Sequence, residues 1–334
     1  MRGFTVTGIS AAIFGTMLSV VVAAASAGEI APNAVDPAKP PACYGAAARD
    51  PERPCRNAAL RLVVSPTPAA AAVEPSEPCE TIETSALFGV CVIGQQHDAA
   101  TTFMALVGDS HAAHLRSALH AIGQLRGIHV STMWRPGCPF STLPPDLGPN
   151  RSQDCVKWSK RVVFYLATHP EIHTVVLGAH ARARLGSRRG KVPRGQELFS
   201  AKLDGYEAAI RSLPASVTHV IVVRDPPDSL RTTAGCVADA LAQRESAADR
   251  CRARRSQVLY DDAQATAALF VTDRDVDVVD LTPFMCDATY CLPVVGGVLV
   301  HMDGDHLTTE FSATLAPYLD RAIRRIKPTV EGFQ

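Results

Sequence analysis

Ser110 follows an apolar run, Phe103-Met104-Ala105-Leu106-Val107, and the pair Gly108-Asp109, and the residues after it take on a helical pattern. A serine on a strand-to-helix turn is exposed at the carboxyl edge of a sheet, where open α/β proteins bind ligands. Its hydroxyl is a weak nucleophile until a base takes the proton. Asp303-Gly304-Asp305-His306, near the C-terminus, offers that base. His306 would accept the proton, and Asp303, one helical turn earlier, would orient the imidazole and stabilise the imidazolium. The expected chemistry is acyl transfer or ester hydrolysis by a triad of Ser110, His306 and Asp303, which calls for no cofactor and no metal. With one carboxylate beside it, His306 should titrate near or somewhat above about 6.5. Asp109 reads as a turn residue that bonds backbone amides after the strand.

A rival chemistry uses the same stretch differently. His111 and His114 lie three apart on one face of a helix and, with His301, Asp303, Asp305 and His306, make a nitrogen and oxygen ligand set for a metal-dependent hydrolase. That reading leaves Ser110 idle.

Gly108-Asp109-Ser110 and Asp303 with His306 resemble the first and last blocks of the SGNH (GDSL-like) hydrolase superfamily. The closer resemblance is to the SGNH domain fused behind the membrane-embedded acyltransferase-3 proteins that O-acylate bacterial surface polysaccharides. It is carried by Val107 through Ala112, by Gly137-Cys138-Pro139, by Asp303 through Thr308, and by a cysteine-bearing stretch before the first block. The likeness runs from about Cys79 to the end, and only its two outer blocks are specific. It implies an oxyanion hole built from the backbone N–H of Ser110 and from Gly137 in the second block. The superfamily's third-block asparagine is missing. The run 173–179 leads into His180-Ala181-Arg182, and the chain's asparagines are Asn33, Asn57 and Asn150. Acyltransferase-linked SGNH domains tend to lack that asparagine too, and His180 or Arg182 could supply the donor.

The elements that must hold these residues follow from hydrophobic period. Short apolar runs at 103–107, 128–133, 173–179, 218–223 and 276–281 read as strands. Amphipathic stretches at 111–125, 154–168, 196–212, 254–270 and 309–326 read as helices between and after them. Alternation of this kind gives a five-stranded parallel sheet with helices on both faces, a flavodoxin-like three-layer α/β sandwich, which is also the fold the resemblance implies.

Arg2 and the apolar stretch Ile9 to Ala25, closing on Ala25-Ser26-Ala27, read as a signal peptide over 1–27, with an uncleaved membrane anchor as the alternative. Residues 28–78, rich in Pro and Ala and without a sustained period, read as an extracytoplasmic linker, and 79–330 as the catalytic domain. Ten cysteines in an exported chain point to disulfides. Short separations close most easily, so sequential pairing is expected: Cys43–Cys55, Cys79–Cys91, Cys138–Cys155, Cys236–Cys251 and Cys286–Cys291.

A formal net charge of zero with interspersed charges argues against nucleic acid as a partner, and 47% hydrophobic residues suffice for a large core. The basic stretch Arg182 to Arg194, with Arg184, Arg188, Arg189 and Lys191, offers either a hold on an acidic glycan or a solvated loop. The expected function is movement of an acyl group, taken as acetyl, onto or off a hydroxyl of cell-envelope carbohydrate. A membrane acyltransferase is the expected donor partner. The alternative from another class is a catalytically silent carbohydrate-binding or scaffold protein that keeps the fold.

Overall fold

Side chains that alternate along the strands decide the layers of this protein. The computed structural model describes residues 39–73, 79–85, 88–186 and 193–326, so the expected signal segment lies outside the described residues. The main sheet holds β1 (Glu80–Thr84), β2 (Gly89–Gly94), β3 (Thr102–Gly108), β4 (Ile128–Trp134), β5 (Ile172–Gly178), β6 (His219–Val223) and β7 (Asp275–Val279). Its order is β1-β2-β4-β3-β5-β6-β7. The five strands from β4 to β7 are parallel and form the expected sandwich centre. The expected strand count is corrected to seven, because β1 and β2 form a hairpin that pairs antiparallel with the β4 edge. β1 reads Glu-Thr-Ile-Glu-Thr and is mostly exposed, so it has no apolar run to betray it.

Met104 and Leu106 of β3 face one layer with Val176, Ile221 and Val223, whereas Ala105 and Val107 face the other with Val175, Leu177, Val220 and Val222. This period of two, apolar on both sides, marks a strand buried on both faces. The helices that cover it are α1 (Ser110–Ala113), α2 (Arg116–Arg126), α3 (Pro149–Thr168), α4 (Gly195–Arg211), α6 (Ala263–Ala268) and α7 (Thr309–Ile326), while α5 (Thr233–Ala242) packs apart from the sheet with Val64, Ala71 and Leu299. On the first face Leu119 and Ile122 of α2 meet Phe311, Leu315 and Leu319 of α7. On the second face lie Trp158, Val162 and Leu166 of α3 with Ala209 and Ile210 of α4. Among the described residues no helix is long and apolar enough to cross a membrane.

Two expected helices are broken, and both breaks serve the site. The stretch 111–125 divides after His114 into α1 and α2. The stretch 254–270 is interrupted by extended backbone at Leu259. There Asp262 caps α6, its Oδ1 accepting the N–H groups of Gln264 and Ala265, while its Oδ2 accepts the N–H of Asp225 at 2.8 Å. A buried carboxylate that satisfies three backbone donors outweighs the helical propensity of the sequence around it.

The described part of the expected linker packs against the domain. Tyr44, Ala46 and Leu60 join the core on the α7 side. Arg321 of α7 grips Asp50 with two hydrogen bonds, of 2.9 and 2.6 Å. Ser65 donates its N–H to Gly297 and accepts that of Leu299, both at 2.8 Å. Irregular chain that satisfies its backbone through loops leaves no period in the sequence.

Disulfides join Cys43 to Cys55, Cys79 to Cys91, Cys138 to Cys155, Cys236 to Cys251 and Cys286 to Cys291. The second ties the chain just before β1 to β2, and the third ties the turn after β4 to α3. In the chain-entropy account a closed loop of about 15 residues contributes roughly 3 kcal/mol.

Candidate active site

The carboxyl ends of β4, β3 and β5 meet in register at Trp134, Gly108 and Gly178. Gly108 permits this approach: a Cβ built there would stand 1.9 Å from the Gly178 carbonyl oxygen and 2.8 Å from the Ala112 Cβ. Gly108→Ala is therefore expected to destabilise the protein by about 3 kcal/mol or more, because backbone would have to move. Chemical denaturation reads this as a lower midpoint, and an unchanged midpoint would contradict the packing described.

Asp109 closes the turn. Its buried carboxylate accepts the N–H of His111 at 2.9 Å and that of His180 at 3.0 Å, so it joins the loop after β3 to the loop after β5. Ser110 then opens α1, with its side chain at the sheet edge.

The opposing loop is held from three directions. Met302 donates its N–H to the His306 carbonyl, Thr308 donates to Val300, and Ser229 donates to Gly304. Thr308 Oγ1 caps α7 by accepting the N–H of Phe311 at 3.0 Å, and it donates to the Leu299 carbonyl at 2.7 Å. The loop brings His306 Nε2 to 2.8 Å from Ser110 Oγ. His306 Nδ1 lies 2.8 Å from Asp303 Oδ2 and 3.1 Å from Asp305 Oδ1. Asp303 Oδ1 accepts the N–H groups of Asp305 and His306 at 3.0 and 2.8 Å, which fixes that carboxylate to its own turn.

These contacts set the charges. Hydrogen bonds to Asp303 and then Asp305 outweigh the burial of His306 and lift it to about 10. The expectation of a value near or somewhat above about 6.5 takes in only one carboxylate. Burial alone would raise Asp303, but the bonds from His306 and the two backbone N–H groups hold its carboxyl well below the usual range. A hydroxyl against an imidazole whose far nitrogen faces a carboxylate is the arrangement that moves a proton off serine.

Three more histidines surround this group. His111 is buried, and its Nδ1 lies 2.6 Å from Asp225 Oδ1. Asp225 is pushed up to about 6 by burial, and its other oxygen accepts the Ala181 N–H at 2.7 Å. His180 stacks on His111 with ring centres 4.1 Å apart and planes 10° apart, and burial holds it down at about 4. His114 accepts the Leu307 N–H on Nδ1 at 3.3 Å, and burial pulls it well below the usual range.

Side-chain atoms in three clusters come within 4.8 Å of one another: His111, His114 and Asp225; His111, His180 and Asp305; Asp303, Asp305 and His306. Hydrogen bonds already commit many of these atoms. His111 Nδ1 faces Asp225, both ring nitrogens of His306 are engaged, and His301 Nε2, from the rival ligand set, donates to the Pro227 carbonyl at 2.6 Å. Among the described residues the rival ligand set is not gathered at one point: its members are divided between clusters, and His301 joins none of them.

The residues considered for an oxyanion hole are spread more widely. Gly137, at a φ of 69°, sits in the turn after β4 against Leu147 and Arg151. His180 spends its N–H on Asp109, and its ring Nε2 lies 3.7 Å from Asp305 and 3.9 Å from Asp228. Arg182 donates to Asp228 at 2.5 Å and covers the Tyr260 ring. Arg188, Arg189 and Lys191 of the basic stretch lie outside the described residues, and Arg184 pairs with Asp146 at 3.4 Å. Beside Ser110 opens a cavity of about 230 Å³, lined by His114, Arg116, Trp134, Met302 and Leu307 among others.

Trp134, Asp225, Asp228 and Asp262 were not among the expected site residues. A signal for two of them lies in Arg224-Asp225-Pro226-Pro227-Asp228, immediately after β6, since polar residues at the carboxyl end of a parallel strand face the ligand edge.

The chain belongs to the family described as SGNH domain (fused to AT3 domains), whose model matches residues 78–321. Its fold is similar to that of the periplasmic domain of a Salmonella ser. Paratyphi A lipopolysaccharide acetyltransferase, at a TM-score of 0.52 and 15% identity, over 67% of this chain and 84% of that one. No curated protein matches the sequence.

Proposed function

We propose that this protein is an exported, serine-dependent O-acyltransferase or esterase that moves short acyl groups, acetyl above all, on cell-envelope carbohydrate. The observation that carries the reading is the chain of contacts from Ser110 Oγ to His306 Nε2 and from His306 Nδ1 to Asp303, each 2.8 Å long, beside a cavity. Ser110 Oγ attacks the acyl carbonyl carbon while its proton passes to Nε2 of His306. The tetrahedral intermediate collapses, the proton goes to the departing oxygen, and the acyl group remains on Ser110. Water or a sugar hydroxyl then attacks the acyl-enzyme, gives its proton to His306, and Ser110 recovers it as the ester breaks. The Ser110 backbone N–H is the first oxyanion donor, with Gly137, His180 and Arg182 as candidates for the others.

Support for a short acyl group comes from the cavity, which at about 230 Å³ is below the ~300–1,000 Å³ of sites for drug-sized ligands. Trp134 gives it a flat apolar wall of the kind that covers a sugar ring. Five disulfides fit an oxidising, extracytoplasmic setting. The family's fusion to AT3 domains and the acetyltransferase neighbour favour carbohydrate as acceptor and a membrane acyltransferase as donor.

The test compares aryl esters of increasing acyl length. Acetyl ester should be turned over with a kcat/KM at least about tenfold above octanoyl ester, since a chain too long for the cavity holds its carbonyl out of line with Ser110. A chelator should leave the acetyl rate unchanged. Equal rates for both esters would refute the short-acyl assignment, and loss on chelation that added metal restores would transfer the chemistry to the histidine cluster.

A further inference from the structure

His306 has one Nδ1–H and two carboxylates around it. Asp303 is the fixed partner, since its second oxygen is bound to two backbone N–H groups of its own turn. Asp305 is placed differently. Its Oδ1 lies 3.1 Å from His306 Nδ1, and its Oδ2 lies 3.7 Å from Nε2 of His180. It therefore stands between the ring that faces Ser110 and a ring held on the next strand's loop by stacking on His111 and by the N–H bond to Asp109.

Resting on the reading of His306 as the base, we infer that Asp305 is a positioning residue that shares the Nδ1–H of His306 with Asp303 and sets the pH at which the site becomes active. The chemistry is that of an imidazolium between two anions. A second carboxylate stabilises the protonated ring more than the neutral one, so the base gives up its proton only at higher pH.

The groups that face His306 from other elements oppose or hardly add to this. His111 and His114 present their rings at 5.1 and 6.3 Å between centres, and each is a site where positive charge would repel the imidazolium. Asp109 is buried behind them, and burial raises it toward the neutral form. Arg116, also positively charged, is among the residues that line the cavity beside Ser110. The excess negative charge at the ring comes from Asp303 and Asp305. Together they favour the protonated ring, the direction in which hydrogen bonds to both carboxylates shift His306.

His180 gives Asp305 a second possible contact. Its Nε2 is buried without a hydrogen-bond partner, and the ring is neutral above about 4. A small rotation of the Asp305 side chain toward that nitrogen would weaken its hold on His306 and lower the pH of activation. Asp303, bound to its turn, has no such freedom.

The experiment measures two quantities on the whole chain: the His306 ring pKa by NMR titration, assigned by its loss in His306→Ala, and the pH profile of kcat/KM on a small acetyl ester. In Asp305→Asn, which keeps shape and removes charge, both the ring pKa and the acid limb are expected to fall by about one pH unit or more. The rate at pH 7, taken relative to that variant's own plateau, should then rise about tenfold or more. Asp305→Glu, which keeps the charge, should hold both values within about half a unit of the parent. A ring pKa unmoved in Asp305→Asn would overturn the inference, as would a fall in rate at every pH with the limb in place, which is the mark of a merely structural residue. The NMR arm needs no turnover. A ring pKa that falls as expected in a protein that never turns over an ester would support the shared Nδ1–H and refute the proposed reaction instead.

Discussion

The Ser110→Ala variant is expected to lose turnover of a small acetyl ester by about four orders of magnitude or more, while its circular dichroism and thermal midpoint stay at the parent values. The reason is positional. Ser110 sits at the sheet edge where it opens α1, and the packing of the turn depends on Gly108, Asp109 and Ala112 rather than on its hydroxyl. Removing the oxygen deletes the atom that forms the acyl-enzyme and leaves the caps and the core untouched. Steady-state kinetics on the purified variant check this, and a rate within tenfold of the parent would place the chemistry elsewhere.

His306→Ala is expected to be nearly as damaging, because the serine proton would have no acceptor at 2.8 Å. The more telling result is the double variant. Residues that act as one unit lose their contribution together, so Ser110→Ala combined with His306→Ala should fall no more than about tenfold below either single variant. Losses that multiply would show that the two side chains do separate jobs.

The parallel half of the fold was legible where a strand carries an apolar run and a long covering helix a regular stripe. β3 and α7 are the clearest cases, the latter matching its expected span of 309–326. The β1–β2 hairpin escaped because Glu80–Thr84 is exposed and polar on an edge. The packed stretch 39–73 escaped because its order comes from contacts far along the chain, such as Asp50 with Arg321 and Ser65 with Gly297 and Leu299. The helix expected over 254–270 failed for a related reason: the demand of a buried Asp225 N–H for a partner broke a stretch that local propensity would have kept whole.

At the site, the residues brought together around Ser110 are those whose motifs fix their own geometry. Asp303 and His306 are three apart in a turn that the Asp303 carboxylate closes through its bonds to the Asp305 and His306 N–H groups. The position of Asp225 just after β6 marks it as facing the ligand edge, but not its partner: the contact with His111 of α1, 114 residues earlier in sequence, exists only in the folded chain. Asp305 reads in the sequence only as a member of the rival ligand set, and its approach to both His306 and His180 exists only once the loops after β5 and before α7 are face to face.

The measurement that bears most directly on the central claim is covalent labelling by a serine-directed fluorophosphonate, with the adduct located by peptide mass mapping. An activated serine attacks such a reagent whatever its natural acyl group or acceptor, so the result does not depend on knowing the substrate. The account predicts one adduct, on Ser110, formed faster as pH rises and slowed about a hundredfold or more in His306→Ala. A folded protein that takes up no label at Ser110 across that pH range, or labels there equally fast without His306, would contradict it.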